Sequence, residues 1–137
     1  MKTLLYLLLF LSIFGISCCN DDDDTTTETQ PIAGEWNLKH VQGGLAGVND
    51  TYEDGIIVWT FSDDGTTLVV ENNNTEDAIY DGLESGTYAC TYLTTDGTTT
   101  SLIIDETLDL GILTINGSTM TLDENVAADG FLLTFER

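Results

Sequence analysis

Few residues in this 137-residue chain have the chemistry for catalysis. The thiols are Cys18, Cys19 and Cys90, and the one imidazole is His40. A nucleophile–base pair would need a Ser or Cys motif beside that histidine. His40 instead follows Lys39 in a stretch of strand-like pattern. Cys90 reads as a small apolar strand residue, not an activated thiolate. Cys18 and Cys19 are adjacent near the N-terminus, so neither an internal disulfide framework nor CxxC-type metal spacing can form. Two stretches, Asn49-Asp50-Thr51-Tyr52-Glu53-Asp54 and Asn72-Asn73-Asn74-Thr75-Glu76-Asp77, are rich in the oxygen ligands Ca²⁺ prefers. Neither keeps the EF-hand spacing, and Asx residues are ordinary in loops. The sequence therefore predicts no enzyme, no metal centre and no cofactor. Aromatic side chains remain. Trp59, Phe61, Tyr88, Tyr92, Phe131 and Phe135 are expected to face a shared interior, where they could line an apolar pocket with hydroxyl tips that orient a ligand. A packed core is the plain alternative for the same six.

Charge narrows the partners. The chain holds 24 acids against Lys2, Lys39 and Arg137, for a net charge of −21. Such a surface repels phosphate backbones, because nucleic-acid binding rests on Lys and Arg neutralising them. It argues equally against adhesion to anionic lipid. Solubility is what it serves.

The elements that must position these residues are strands. From Gly34 onward no apolar period of 3.6 is sustained, and the only helix candidate is a short turn over 75–83. Eight strands are predicted, over 35–41, 56–62, 66–72, 86–93, 99–105, 110–116, 118–123 and 130–136. Tight turns between most neighbours predict a small antiparallel up-and-down β-barrel. Register follows from requiring opposed residues to share a face. An Asn116-Gly117 turn sets Ile115 against Ser118 and Leu113 against Met120, with Leu113, Ile115, Met120 and Leu122 all on one side. A two-residue Asp64-Gly65 turn sets Phe61 against Leu68 and Trp59 against Val70; a three-residue loop would set Phe61 against Thr67. Around Asp96-Gly97 two registers compete. A two-residue loop faces Tyr88, Cys90 and Tyr92 to Ser101 and Ile103; a three-residue loop faces them to Leu102 and Ile104. The second gathers more apolar surface and is preferred.

Residues 1–17, MKTLLYLLLFLSIFGIS, open with one Lys and an apolar run over 4–16. At ~1.5 Å per residue that run is too short for a ~30 Å hydrocarbon core, and it has the length of a signal-peptide apolar region. Phe14-Gly15-Ile16-Ser17-Cys18 resembles the bacterial lipobox, which implies cleavage after Ser17 and lipidation of Cys18; Cys19 would place a thiol before the modified residue and fits less well. The acyl chains would hold the protein on a membrane essentially permanently. Asn20-Asp21-Asp22-Asp23-Asp24 then opens a polar tether over 18–33, too charged to fold. Its place and composition resemble the acidic stretch of Bacteroidetes-type lipoproteins. That implies display on the outer face of the outer membrane, with a periplasm-facing anchor as the alternative.

Gly34-Glu35-Trp36 at the head of the first strand resembles the opening motif of lipocalins and related calycins. It is followed by Trp59-Thr60-Phe61-Ser62-Asp63-Asp64-Gly65-Thr66, then Gly86-Thr87-Tyr88, a Leu102-x-Ile104 strand and a closing Leu133-Thr134-Phe135. The order and spacing resemble the small lipocalin-like domain of Bacteroidetes lipoproteins over 34–137. Gly34 permits a tight turn, and Trp36 is expected to seal one end of the barrel with its N–H on a backbone partner. The resemblance implies a lipid-anchored protein that binds a small apolar or amphipathic ligand without catalysis. The alternative is a surface interaction or adhesion module with a solid core.

Overall fold

Runs of Thr, Val, Ile, Leu and aromatics, cut by Gly, Asp and Asn, favour strands and tight turns. The computed structural model describes residues 31–137. Its strands are β1 (Gly34–Gly43), β2 (Val48–Thr51), β3 (Ile57–Phe61), β4 (Thr67–Asn72), β5 (Gly86–Thr95), β6 (Thr99–Ile104), β7 (Leu108–Asn116), β8 (Thr119–Asp123) and β9 (Phe131–Glu136). From β3 to β9 each strand pairs with the next, and β9 closes onto β1. The product is the expected closed antiparallel barrel of eight strands, with β2 as an extra one. The stretch read as a signal segment, Cys18, Cys19 and the four-aspartate run lie outside the described residues. Ile32 and Ala33, at the end of the stretch read as tether, are buried against the barrel.

Two sequence expectations need correction. The candidate helix over 75–83 is irregular chain. Asx side chains there take the backbone groups a helix would use: Asn74 Oδ1 accepts the Glu76 N–H at 3.1 Å, and Asn72 Oδ1 accepts the Asn74 N–H at 3.0 Å. Residues 49–51, read as part of an oxygen-rich loop, belong to β2. Both β2 and β3 lie on the edge of β1 opposite β9, since Asn37 pairs with Val58 on one side and Glu136 on the other. They behave as one strand interrupted by an excursion over 53–56. Lys39 Nζ holds the excursion through Asp54 at 2.8 Å, and Asn37 Oδ1 accepts the Gly55 N–H at 2.8 Å.

The hairpins test the register arithmetic. Phe61 opposes Leu68 and Trp59 opposes Val70, as expected. Cys90 opposes Ile104 and Tyr92 opposes Leu102, the register of the three-residue loop. In β7–β8 the pairing is displaced: Ile115 meets Met120 and Leu113 meets Leu122. Gly117 and Ser118 are the central turn residues, and Gly117 has φ +62°. Positive φ at the first central position is the glycine-led hairpin pattern. The displacement is two residues, so each side chain keeps its expected face.

Apolar residues from every barrel strand meet in one core. Trp36, Leu38, Trp59, Leu68, Leu102, Met120, Leu122, Leu133 and Phe135 are fully buried. An eight-stranded barrel is just wide enough for side chains to fill, and here they fill it.

Candidate functional site

The six aromatics expected to share a pocket are split four ways. Trp59, Phe61 and Phe135 are core: the Trp59 and Phe135 rings lie 4.7 Å apart, and those of Trp59 and Phe61 6.4 Å. Tyr88 is half-buried and donates its hydroxyl to the Glu84 carbonyl at 2.8 Å. Tyr92 donates to the Gly65 carbonyl at 2.6 Å, bracing the β3–β4 turn. Phe131 lies against Tyr80, ring centres 4.5 Å apart. The expected common pocket is therefore not formed. The cause is volume: two indoles and two phenyl rings occupy the interior together with leucines and Met120.

One end of the barrel, where β1 begins and β9 ends, is sealed. Gly34 (φ +101°) turns the chain so that Trp36 points inward. The Trp36 indole N–H donates to the Ile32 carbonyl at 2.7 Å. The Arg137 guanidinium lies 4.3 Å from the Trp36 ring centre, and its Nη1 donates to the Ala33 carbonyl at 2.9 Å. Sequence reading missed Arg137. The available signal was that the chain's only arginine ends the last strand, which a closed barrel must return to the first. Beside the seal is a cleft of about 480 Å³ lined by Pro31, Ile32, Tyr92, Thr100, Leu113 and Ile115.

The opposite end is different. β4 stops at Asn72, opposite Ile57, while the strand beside it continues past the excursion as β2. The chain leaves the sheet after the Asn73 N–H bonds the Ile56 carbonyl at 2.8 Å. Between β2 and this departing segment opens a cleft of about 560 Å³, lined by residues 49–53, Ile56 and residues 73–78. The two oxygen-rich stretches of the sequence thus become its facing walls. Tyr52 projects here, with its hydroxyl buried and without a hydrogen-bond partner. Burial pushes the Tyr52 phenol up to about 12, and Asp50, Asp81 and Glu76 reinforce the shift.

No family model, curated protein or solved structure matches the chain. Its chemistry must be read from the groups themselves. Burial raises the Cys90 thiol to about 11, with Asp105 adding to it, so the group is an apolar filler at neutral pH. His40 Nε2 shares a 2.8 Å hydrogen bond with Asn49 Oδ1 on the outer face of β1 and β2, and no thiol or hydroxyl joins that pair. Tyr80 donates to Glu124 at 2.5 Å, closing the loop before β9 over the interior. Among the described residues no three His, Cys, Asp or Glu side chains converge as metal ligands. Among the described residues, neither Cys90 nor His40 stands in a nucleophile–base pair.

Proposed function

We propose that the protein is a lipid-anchored interaction module of the bacterial outer surface, a calycin-like barrel whose filled interior is a scaffold and whose end opposite the Trp36 seal does the binding. The observation that carries this is the core. Trp59 and Phe135, expected to line a pocket, have no exposed surface, and the leucines around them complete the packing. A ligand would have to displace close-packed side chains, and opening such a core costs several kcal/mol per large residue removed (about 3–5 for an aromatic). The meander order and the Gly34–Trp36 seal support the calycin resemblance. The lipobox and the aspartate run support anchoring at Cys18 and outward display, the membrane contact being the lipid itself. No part of the reading requires catalysis or a cofactor.

A second reading, an apolar or amphipathic ligand, is favoured by the cleft beside the seal, where Ile32, Tyr92, Leu113 and Ile115 meet. A Cys18→Ser variant, which should take up no labelled fatty acid, provides a protein free of bound lipid for the decisive titration. With the environment-sensitive dye ANS it should show no saturable binding that fatty acids displace. Displaceable one-to-one binding would overturn the solid-module reading in favour of the second. Labelling that persists through Cys19 would move the anchor by one residue.

A further inference from the structure

We propose that the cleft beside β2 accepts an extended, lysine-rich peptide segment as an added β-strand; this rests on the interaction-module reading and names its partner class. The first observation is a vacant strand position. Among the described residues β2 pairs with β1 alone, and none takes the place β4 would occupy beside it, because β4 ends at Asn72. Hydrogen bonding along an antiparallel pair alternates. The Tyr52 N–H bonds the Lys39 carbonyl at 3.0 Å, so Asp50 and Val48, in the same alternation, also turn their backbone groups toward β1. Asn49 and Thr51 therefore turn their N–H and C=O groups the other way, toward the cleft. Residues from both faces of β2 line the cleft, so it abuts the strand's edge, not one face. A strand added there would sit about 4.8 Å from β2, making main-chain bonds to Asn49 and Thr51.

The second observation is charge. Asp50 and Glu53 stand on the β2 side of the cleft, and Glu76 and Asp77 on the other. Lys39, the one lysine among the described residues, is already held by Asp54 at 2.8 Å. Alternate side chains of an incoming strand point to opposite faces, so lysines at every second position would meet carboxylates while the backbone pairs with β2.

The test uses the full-length mature chain in neutral detergent and a labelled Lys-Val-Lys-Val-Lys-Val peptide. Binding is followed by fluorescence anisotropy, and exchange at the Asn49 and Thr51 amides by hydrogen–deuterium exchange. The peptide should bind saturably and slow exchange at both amides. Of two peptides N-methylated at alternate residues, one keeps its hydrogen-bonding edge and should bind like the parent; the other should bind about thirtyfold more weakly. A Glu-Val repeat should not bind, and Asp50→Asn with Glu76→Gln should weaken the lysine peptide without removing the difference between the methylated forms. Equal binding of both methylated peptides would mean charge alone holds the ligand and would overturn the proposal, as would absence of binding or equal binding of the acidic repeat. Failure here leaves the dye titration above untouched, so the two readings fall separately.

Discussion

The two ends of this barrel are made from the same strands and solve opposite problems. At the Trp36 end the chain's first and last strands meet, and an indole, a guanidinium and two backbone carbonyls interlock so that every polar group involved has a partner. At the β2 end β4 stops short, leaving, among the described residues, a strand edge unpaired and a tyrosine hydroxyl without a mate. Stability is concentrated where hydrogen bonds and packing coincide, and recognition is available where they were left incomplete. The loops of the second end satisfy themselves locally through Asx bonds such as Asn74 Nδ2 to Asp81 at 3.0 Å, so they hold a shape without closing over the cleft.

That contrast is broken most forcefully by emptying the seal. Trp36→Ala should cost about 3–5 kcal/mol in chemical denaturation, since a fully buried indole leaves a cavity and an orphaned carbonyl. Arg137→Ala should cost roughly 1–2 kcal/mol, from one cation–π contact and one hydrogen bond at a partly solvated position. Equal losses from changes at the β2 end would erase the distinction.

The ends should also answer pH with opposite sign. Near the seal, hydrogen bonds from Ser62 and Thr66 hold the Asp64 carboxyl below its ordinary range. Its contribution is present above the ordinary aspartate pKa and is lost as pH falls through the lowered one. At the other end burial raises Glu124, with Asp109 adding to it and the Tyr80 hydrogen bond opposing. Its proton is bound more tightly in the folded chain, so stability falls as pH rises from the ordinary glutamate pKa through the raised one. Denaturation midpoints across the acid range should lose the low-pH slope in Asp64→Asn and the higher slope in Glu124→Gln. The smallest effect is expected at the cleft rim. Asp50→Asn should change stability by no more than about 0.5 kcal/mol, because the side chain makes no contact on which folding depends.

Much of the barrel was legible because strand periodicity and turn chemistry are local. Trp59 and Phe61 fell into register through one Asp-Gly turn, and the three-residue β5–β6 loop followed from apolar surface alone. The β7–β8 turn was misplaced because Asn116-Gly117 favours one hairpin type and Gly117-Ser118 another, and both keep the same faces. β2 was hidden because Val48-Asn49-Asp50-Thr51 carries loop-forming residues; its pairing is imposed by β1 and the short turn before it. The candidate site was legible only in fragments. Two acidic stretches stood out separately, but their meeting across a cleft depends on β4 ending one strand position early. Arg137 reaches Trp36 through barrel closure, across nearly the whole domain.

Whether the barrel interior is solid is reported directly by Trp59. Trp36→Phe leaves Trp59 as the only tryptophan, at the middle of the core. Combined with Cys18→Ser and titrated with a brominated fatty acid, which quenches an indole only on contact, the variant should keep its emission unchanged. Saturable quenching of Trp59 would show an acyl chain inside the barrel, and the interior would then be a ligand cavity and not a solid core.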